Sequence, residues 1–536
     1  MLWLADLPTY KDQNLDSLNE AVHHGTSLLV VKSRFIDSSL EKLLGAKFKQ
    51  AYTATDPLRI TQKHFITRRL TEGGMGTPKT DWDFSSRFWI EPLGAQVLIH
   101  QAGHPVVTEN QVEDTASAIW LGVPETSLLR DSSYWKEIFF RSLIWSLGYL
   151  IQPDIDYSHA IEIEIDDWGT ADKGFLSYWH YLEPGEETLR SFLIAPLEKH
   201  RAVAAANVIS GYVDRQSRRI VSPWGKIFTD AWGQHQDYAS TRKGLLDAVA
   251  AGVLEIESHG WIHMDPDLDS PPGPWWTADL KGEASADGWY SEFADHRRGT
   301  EVAAIVQLFH MEQGFEAIEK GFGQRPLELR PVNGGWSKSQ FNNSGRLAAQ
   351  AGFGIFHAEP DYYYYLDPHL VLDMTGISPQ FTTSFDRLDA LQSELRPQHP
   401  DGPVMVLFHD RDIALRSGFV EDLLDTLPAG YKTISANNYV GILHAQVVSS
   451  TTDTEWQLTF DYENPYCTFF EKHPSSWRLW LSDPIREELQ RLPSLRLTTD
   501  NDSKTSMQSA DLSRQPLVIS IPMGRNKHAW KLTVAN

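Results

Sequence analysis

The chain is 536 residues long, carries a formal net charge of -23, and is 11% aromatic with 19 tryptophans. That length exceeds what a single hydrophobic core supports and predicts roughly two to four domains. The charge excludes a nucleic-acid surface, which needs clustered cations. One cysteine, Cys467, excludes an internal disulfide framework and any cysteine-based metal cluster.

Met1 to Pro8 has neither the basic n-region nor the apolar core of a signal peptide. Residues 1–150 read as an α/β unit, with strands over 27–31, 97–100 and 118–121 and a helix over 39–44. A further helix over 134–147 would be capped by Ser132 or Ser133 and stopped by Gly148. The layering is reminiscent of flavodoxin-like or amidotransferase-like domains, without a nucleophile elbow or phosphate loop. Gly73-Gly74-Met75-Gly76 stands outside a strand-to-helix context and reads as a loop. The longest apolar stretch, 138–150, contains Arg141 and is too short to span a bilayer, so no transmembrane segment is predicted.

The chemistry concentrates further on. Ile163-Glu164-Ile165-Asp166-Asp167-Trp168-Gly169 is an apolar strand running into two carboxylates and a glycine. Neighbouring side chains on a strand point to opposite faces, so both aspartates serve one site only where the strand ends and the chain twists. About ninety residues later, Leu254-Glu255-Ile256-Glu257-Ser258-His259-Gly260-Trp261-Ile262-His263 ends a second strand in two histidines four apart. Imidazole with carboxylate suits zinc and related divalent ions. His100 and His104 share the spacing but lack such a carboxylate pair, and are read as structural.

These segments resemble the motifs of the polysaccharide deacetylases of the NodB-homology type. The run containing Asp166 and Asp167 resembles the family's first motif, and Ser258 to His263 its second. The stretch from Ile318 to Arg330-Pro331 is similar to the approach to the third, and Val404 to His409 to the strand bearing the last histidine. The likeness covers about 157–445. Its third motif departs from the family in reading Arg330-Pro331-Val332-Asn333-Gly334-Gly335-Trp336, and no fourth motif is found, although Asp367, Asp373 and Asp386 fall in its interval.

The resemblance implies an α/β fold: a distorted (β/α) barrel over 155–447, preceded by the layered α/β domain of 1–150. It implies a divalent ion, zinc first, on Asp167, His259 and His263, with Asp166 as general base, Arg330 holding that base ionised and aimed, and His409 as general acid. The reaction would be de-N-acetylation of an N-acetylhexosamine polysaccharide, releasing acetate. Two alternatives stay open: a weak or inactive polysaccharide-binding or assembly protein on the same scaffold, and a metal-dependent glycoside hydrolase. Substrate logic places a polymer deacetylase outside the cytoplasm or in the cell envelope.

Trp168 and Trp261, beside the motifs, and Trp275 and Trp276, in the irregular segment after His263, are candidate sugar platforms. Asp410 is read as a cap or turn residue. Beyond 445, residues 449–454 read as a linker, and 454–536 as a small β-sandwich in which Trp456, Leu458, Phe460 and Tyr462 share a face, as do Trp530, Leu532 and Val534.

Overall fold

The computed structural model describes residues 2–5, 12–31, 38–52, 58–67, 87–122, 133–146, 151–155, 160–169, 180–264, 292–331, 344–384, 388, 404–435, 446–461, 475–481, 495–499, 508–509, 517–521 and 528–534, with short interruptions inside some of these ranges. In the N-terminal part, Leu2–Ala5, Leu28–Val31 and Ala116–Leu121 run parallel, and His104–Val112, Gln96–Gln101 and Leu58–Ile60 extend the same sheet antiparallel. The antiparallel half departs from a flavodoxin-like layer, because Ala102 and Gly103 both take positive φ (50° and 79°) and fold the chain back on itself. His100 and His104 flank this hairpin turn. His100 Nδ1 meets Thr61 Oγ1 at 2.7 Å, and the His104 ring stacks on Trp89. The helices expected over 39–44 and 134–147 appear as Ser38–Leu44 and Ser133–Trp145.

Among the described residues the central part is a parallel sheet whose main path has seven strands, β1 (Ala160–Trp168), β2 (Ala204–Val208), β3 (Leu254–Ser258), β4 (Glu328–Leu329), β5 (Ile355–Ala358), β6 (Gln380–Thr382) and β7 (Val404–His409), with Lys432–Ile434 pairing parallel to the start of β1 as an eighth. Their order is β5-β4-β3-β2-β1-β7-β6, and among the described residues the sheet does not close into a barrel. Past β5 it continues antiparallel through Asp361–Asp367 and Leu370–Asp373. The sheet is curled. Strands β1 and β4 are three places apart, about 14 Å if flat, yet carboxylate oxygens of Glu164 and Glu328 lie within 4.8 Å of each other.

Alternation along each strand separates two faces. Ile161, Ile163 and Ile165 of β1, Ala204, Ala206 and Val208 of β2, Leu254 and Ile256 of β3 and Val406 and Phe408 of β7 pack outward against Leu245, Val249, Ile318, Phe322 and Leu423 of the covering helices. The inner face carries Glu162, Glu164, Asp166, Asn207, Glu255, Glu257, His259, Glu328 and Arg330, all buried.

The C-terminal residues form a five-stranded antiparallel sheet and a three-stranded one, which takes in Ile151–Ile155 from the opposite end of the central domain. One expected boundary therefore shifts. The stretch over 449–454 is not wholly linker, because Gln446–Thr451 pairs along its length with Glu455–Asp461, its valines and hydroxyl side chains being good strand formers. Residues 151–155 pair with Ser475–Leu481, not with the domain that follows them. Register sets Trp456 opposite Leu532 and Leu458 opposite Trp530.

Trp168 corrects a second expectation. The pairing of β1 with β2 slips between Ile165 and Trp168, where Asp167 takes φ of 68°. The extra residue of this bulge reverses the alternation, so Trp168 falls on the outward face with Ile161, Ile163 and Ile165. Its ring is fully buried and presents no surface to a sugar. Trp275 and Trp276 lie outside the described residues. Trp168→Ala is expected to cost about 3–5 kcal/mol, read as a lowered denaturation midpoint at unchanged m. A midpoint equal to that of wild type would contradict a core role for Trp168.

Candidate metal centre

The bulge that buries Trp168 also solves the problem of two consecutive aspartates. With Asp167 in the left-handed region, its carboxylate swings to the inner face beside that of Asp166. Gly169 follows, where a Cβ would meet Ile209 at 2.7 Å, so the sharp exit from β1 needs glycine.

The ladder aligns the other motifs with this corner. Asp166 stands opposite His409 on β7, and Glu257 opposite Asn207 on β2. Beyond the end of β3, the His259 amide donates to the Val208 carbonyl at 2.9 Å, and the Arg330 amide to the Ser258 carbonyl at 2.8 Å. The result is a convergence at strand ends. Asp167 Oδ1 lies 3.3 Å from His259 Nε2 and 3.4 Å from His263 Nε2. His409 Nε2 stands 3.9 Å from Asp167 Oδ2, and Arg330 Nε donates to Asp166 Oδ2 at 2.9 Å. Asp166, Asp167, His259, His263 and Arg330 are buried, whereas the His409 side chain keeps 25% exposure and forms the open side.

The donor set fits a divalent ion. His259 Nδ1 lies 2.9 Å from the backbone carbonyl of Arg330, which only accepts, so this nitrogen carries a proton and Nε2 is the nitrogen that would meet an ion beside Asp167. One carboxylate and two imidazoles within 4.8 Å of one another form the three-ligand pattern of catalytic zinc sites, which leave a position free.

The two aspartates differ in environment. Burial would raise Asp166, but the Arg330 cation, then His259 and His409, outweigh it and hold the carboxyl below its ordinary 3.8. Asn207 Nδ2 donates to its other oxygen at 2.7 Å. Burial likewise opposes ionisation of Asp167, and the imidazoles of His259 and His263 hold it well below the usual carboxylate range.

Several groups beside the site were missed in the sequence. His409 is oriented by Asp412: the ring accepts from the Asp412 amide, and the Asp412 carboxylate accepts from the His409 amide at 3.0 Å, a capping box at the start of Asp410–Leu415. The His-x-x-Asp spacing was the available signal. Asp367 and Asp373 sit on the antiparallel strands at the far end of the sheet order from β7, and Asp386 lies outside the described residues. His409 is itself the N-cap and Asp410 the first helical residue, its carboxylate buried and accepting from the Tyr181 hydroxyl. Tyr181 carried no sequence signal.

Glu292 holds the turn that carries His263, which takes φ of 60°. The amides of Trp261, Ile262 and His263 donate to its carboxylate at 2.9, 3.2 and 3.0 Å, and His310 Nδ1 lies 2.7 Å from it. Trp261 is half-buried and packs edge-on against His310 and the exposed Phe309.

No protein-family model matches the chain, and none of the curated proteins does. Among solved structures, it is similar to a chitin deacetylase from the fungal pathogen Colletotrichum lindemuthianum, at 13% identity and TM-score 0.31, over 54% of this chain and 90% of that one. The Xyl-CE4 domain of a multidomain xylanase from the hindgut metagenome of Trinervitermes trinervoides matches at 13% identity and TM-score 0.27, over 53% and 89%. A CE4 family pseudoenzyme from Bacillus anthracis matches at 13% identity and TM-score 0.27, over 54% and 68%. What this chain can do is set by its own side chains.

Glu292→Gln places an amide N–H against a ring of backbone donors. It is expected to weaken divalent-ion affinity about 10–100-fold, the usual cost of losing an outer-shell support, measured by competition with a chromogenic chelator. Unchanged affinity would show that the turn holds His263 without this carboxylate.

Proposed function

We propose that this protein is a divalent-metal-dependent hydrolase that removes N-acetyl groups from an N-acetylhexosamine-containing polysaccharide, releasing acetate. The observation that carries the reading is the bulge in β1, which sets Asp167 against His259 and His263 while leaving Asp166 on Arg330 and Asn207. One carboxylate is thereby available to an ion and its neighbour to a proton.

An ion held by Asp167, His259 and His263, zinc first, would supply a Lewis acid and a water of lowered pKa. Asp166 is the general base. It is buried and kept ionised by Arg330, so its Oδ atoms take the proton from the attacking water. Arg330 aims that carboxylate through Nε and balances its charge in a site where an unpaired carboxylate would protonate. His409, opposite Asp166 across the β1–β7 ladder and on the open side, gives a proton to the departing amine. Asp412 fixes its ring. Trp261 offers a face for a sugar ring beside the reacting group. No helix among the described residues is long and apolar enough to cross a membrane. We take the working location to be the cell envelope or outside it, where such polymers lie.

Acetate release from N-acetylated glucosamine and galactosamine polymers, with and without a chelator, tests the reading directly. Chelator-sensitive acetate supports it, shortened chains without acetate would indicate a glycoside hydrolase, and binding with neither product would indicate a polysaccharide-binding protein. Asp166→Asn is expected to lower kcat by about 10²–10⁴-fold, the range of a general base, with ion content unchanged. A kcat within threefold of wild type would remove Asp166 from that role.

The base must be ionised to act, and its folded pKa is depressed, so the Asp166 limb of the kcat/KM profile lies below pH 3.8. In Arg330→Met burial is no longer offset by the guanidinium, and that limb is expected to move to higher pH, with Arg330→Lys shifting it less. A limb that stays put in Arg330→Met at saturating ion would contradict the pairing.

A further inference from the structure

The inner face of the curled sheet holds a second group of carboxylates that this chemistry does not use. Glu162 and Glu164 are alternate residues of β1, Glu328 is on β4, and each offers an oxygen within 4.8 Å of the others. All three are at most 2% exposed.

Two features separate this group from an ordinary acidic cluster. Among the described residues, both oxygens of Glu162, Oε1 of Glu164 and Oε2 of Glu328 are buried without a hydrogen-bond partner. The remaining oxygens are taken: Asn207 Nδ2 donates to Glu164 Oε2 at 2.6 Å, and His357 Nδ1 lies 3.0 Å from Glu328 Oε1. Each of the three carboxyl groups thus keeps at least one buried oxygen unsatisfied, although buried polar atoms are as a rule paired. At these four oxygens none of the three acids hydrogen-bonds another. By contrast, the exposed group of His200, Glu421 and Asp425 already has Lys199 on it.

We propose that Glu162, Glu164 and Glu328 hold a calcium ion in the interior of the curled sheet, beneath the Asp167–His259–His263 centre and separate from it. The donor set decides the ion class. It is all oxygen and all carboxylate, which suits hard cations and lacks the imidazole that zinc selects. Calcium accepts six to eight oxygens at about 2.3–2.6 Å, so ligands on opposite sides stand about 4.6–5.2 Å apart. Magnesium keeps most of its water and is seldom enclosed by an all-protein cage. One oxygen from each glutamate lies close enough to the others to enter such a shell, with water completing it. Burial and then repulsion from neighbouring glutamates, Glu328 first, push Glu162 and Glu164 well above the usual carboxylate range against the pull of Arg330, and an ion there would oppose that rise.

The test uses the full chain, stripped of ions, then given Zn2+ and Ca2+ and analysed by mass spectrometry for metals per chain. Wild type is expected to bind one Ca2+ beyond its zinc. His259→Ala/His263→Ala is expected to lose the zinc and keep the Ca2+, and Glu162→Gln and Glu328→Gln to keep the zinc and lose Ca2+ at least tenfold in affinity. Adding Ca2+ to zinc-loaded wild type is further expected to raise Tm by several degrees, since an ion that binds only the folded state stabilises it. Absence of a bound Ca2+ in wild type overturns the proposal, whether or not the glutamine variants fold. So does Ca2+ that persists in both glutamine variants. Loss of zinc binding in wild type with Ca2+ retained would overturn the metal centre instead and leave this site standing.

Discussion

A single backbone irregularity governs the site. Without the slip between Ile165 and Trp168, alternation along β1 would put Asp166 inside and Asp167 among the helices, where a buried carboxylate has no partner. With it, both carboxylates face inward and Trp168 fills the outward position that Asp167 would have taken. A non-glycine residue at φ of 68° costs of order 1 kcal/mol, and the burial of a tryptophan more than offsets that. The core thus holds the strained aspartate in place. Stability and site geometry are properties of the same three residues.

The inner face is a matter of electrostatics before it is one of packing. Barrel-like α/β folds ordinarily fill this space with branched apolar side chains, whereas here β1, β3 and β4 line it with glutamates. Arg330 is the guanidinium that reaches into it, and its Nε is committed to Asp166. That commitment has a consequence deeper in the sheet. Glu328, two residues away, is pushed up to about 7, burial outweighing the Arg330 cation and Asp166 adding to the rise. The charge that keeps Asp166 ionised at the mouth is therefore only partly available below it. Glu257 solves its own burial differently, by accepting the amides of Leu327 and Glu328 at 2.7 and 2.6 Å, which also anchors the start of β4.

Much of this arrangement was legible in the sequence and some of it was written there unread. The run from Ile163 to Gly169 and the Ser258–His263 run mark strand ends, and the structure does bring their carboxylate and imidazoles together. The same alternation that gave β1 and β3 also places Glu162, Glu164, Glu255 and Glu257 on the inner face, a statement available from period two alone. Trp168 was misplaced because a bulge leaves no compositional trace: parity counted along Ile161, Ile163 and Ile165 predicts the opposite face. The strand Gln446–Thr451 was hidden in a polar stretch because an edge strand needs partners more than hydrophobicity. Glu292 and Tyr181 were out of reach, since their roles depend on contacts with residues more than twenty-five and two hundred positions away.

The supports around the ligands follow one pattern. His259 is fixed by a backbone carbonyl from β4, His263 by a turn whose amides converge on Glu292, and His409 by the amide and carboxylate of Asp412. Backbone groups enter every one of these, so the rings are oriented by the sheet and its exits more than by other mobile side chains. For His409 the consequence is chemical as well as geometric. Its Nε2 stands 3.9 Å from Asp167 Oδ2, and the side chain keeps 25% exposure, so the ring can exchange protons with solvent. In the proposed reaction the acid, His409, thus stands on the open side of the site, and the base, Asp166, beside a buried guanidinium. The strand order puts His409 and Asp166 in those two environments while keeping them directly across one ladder.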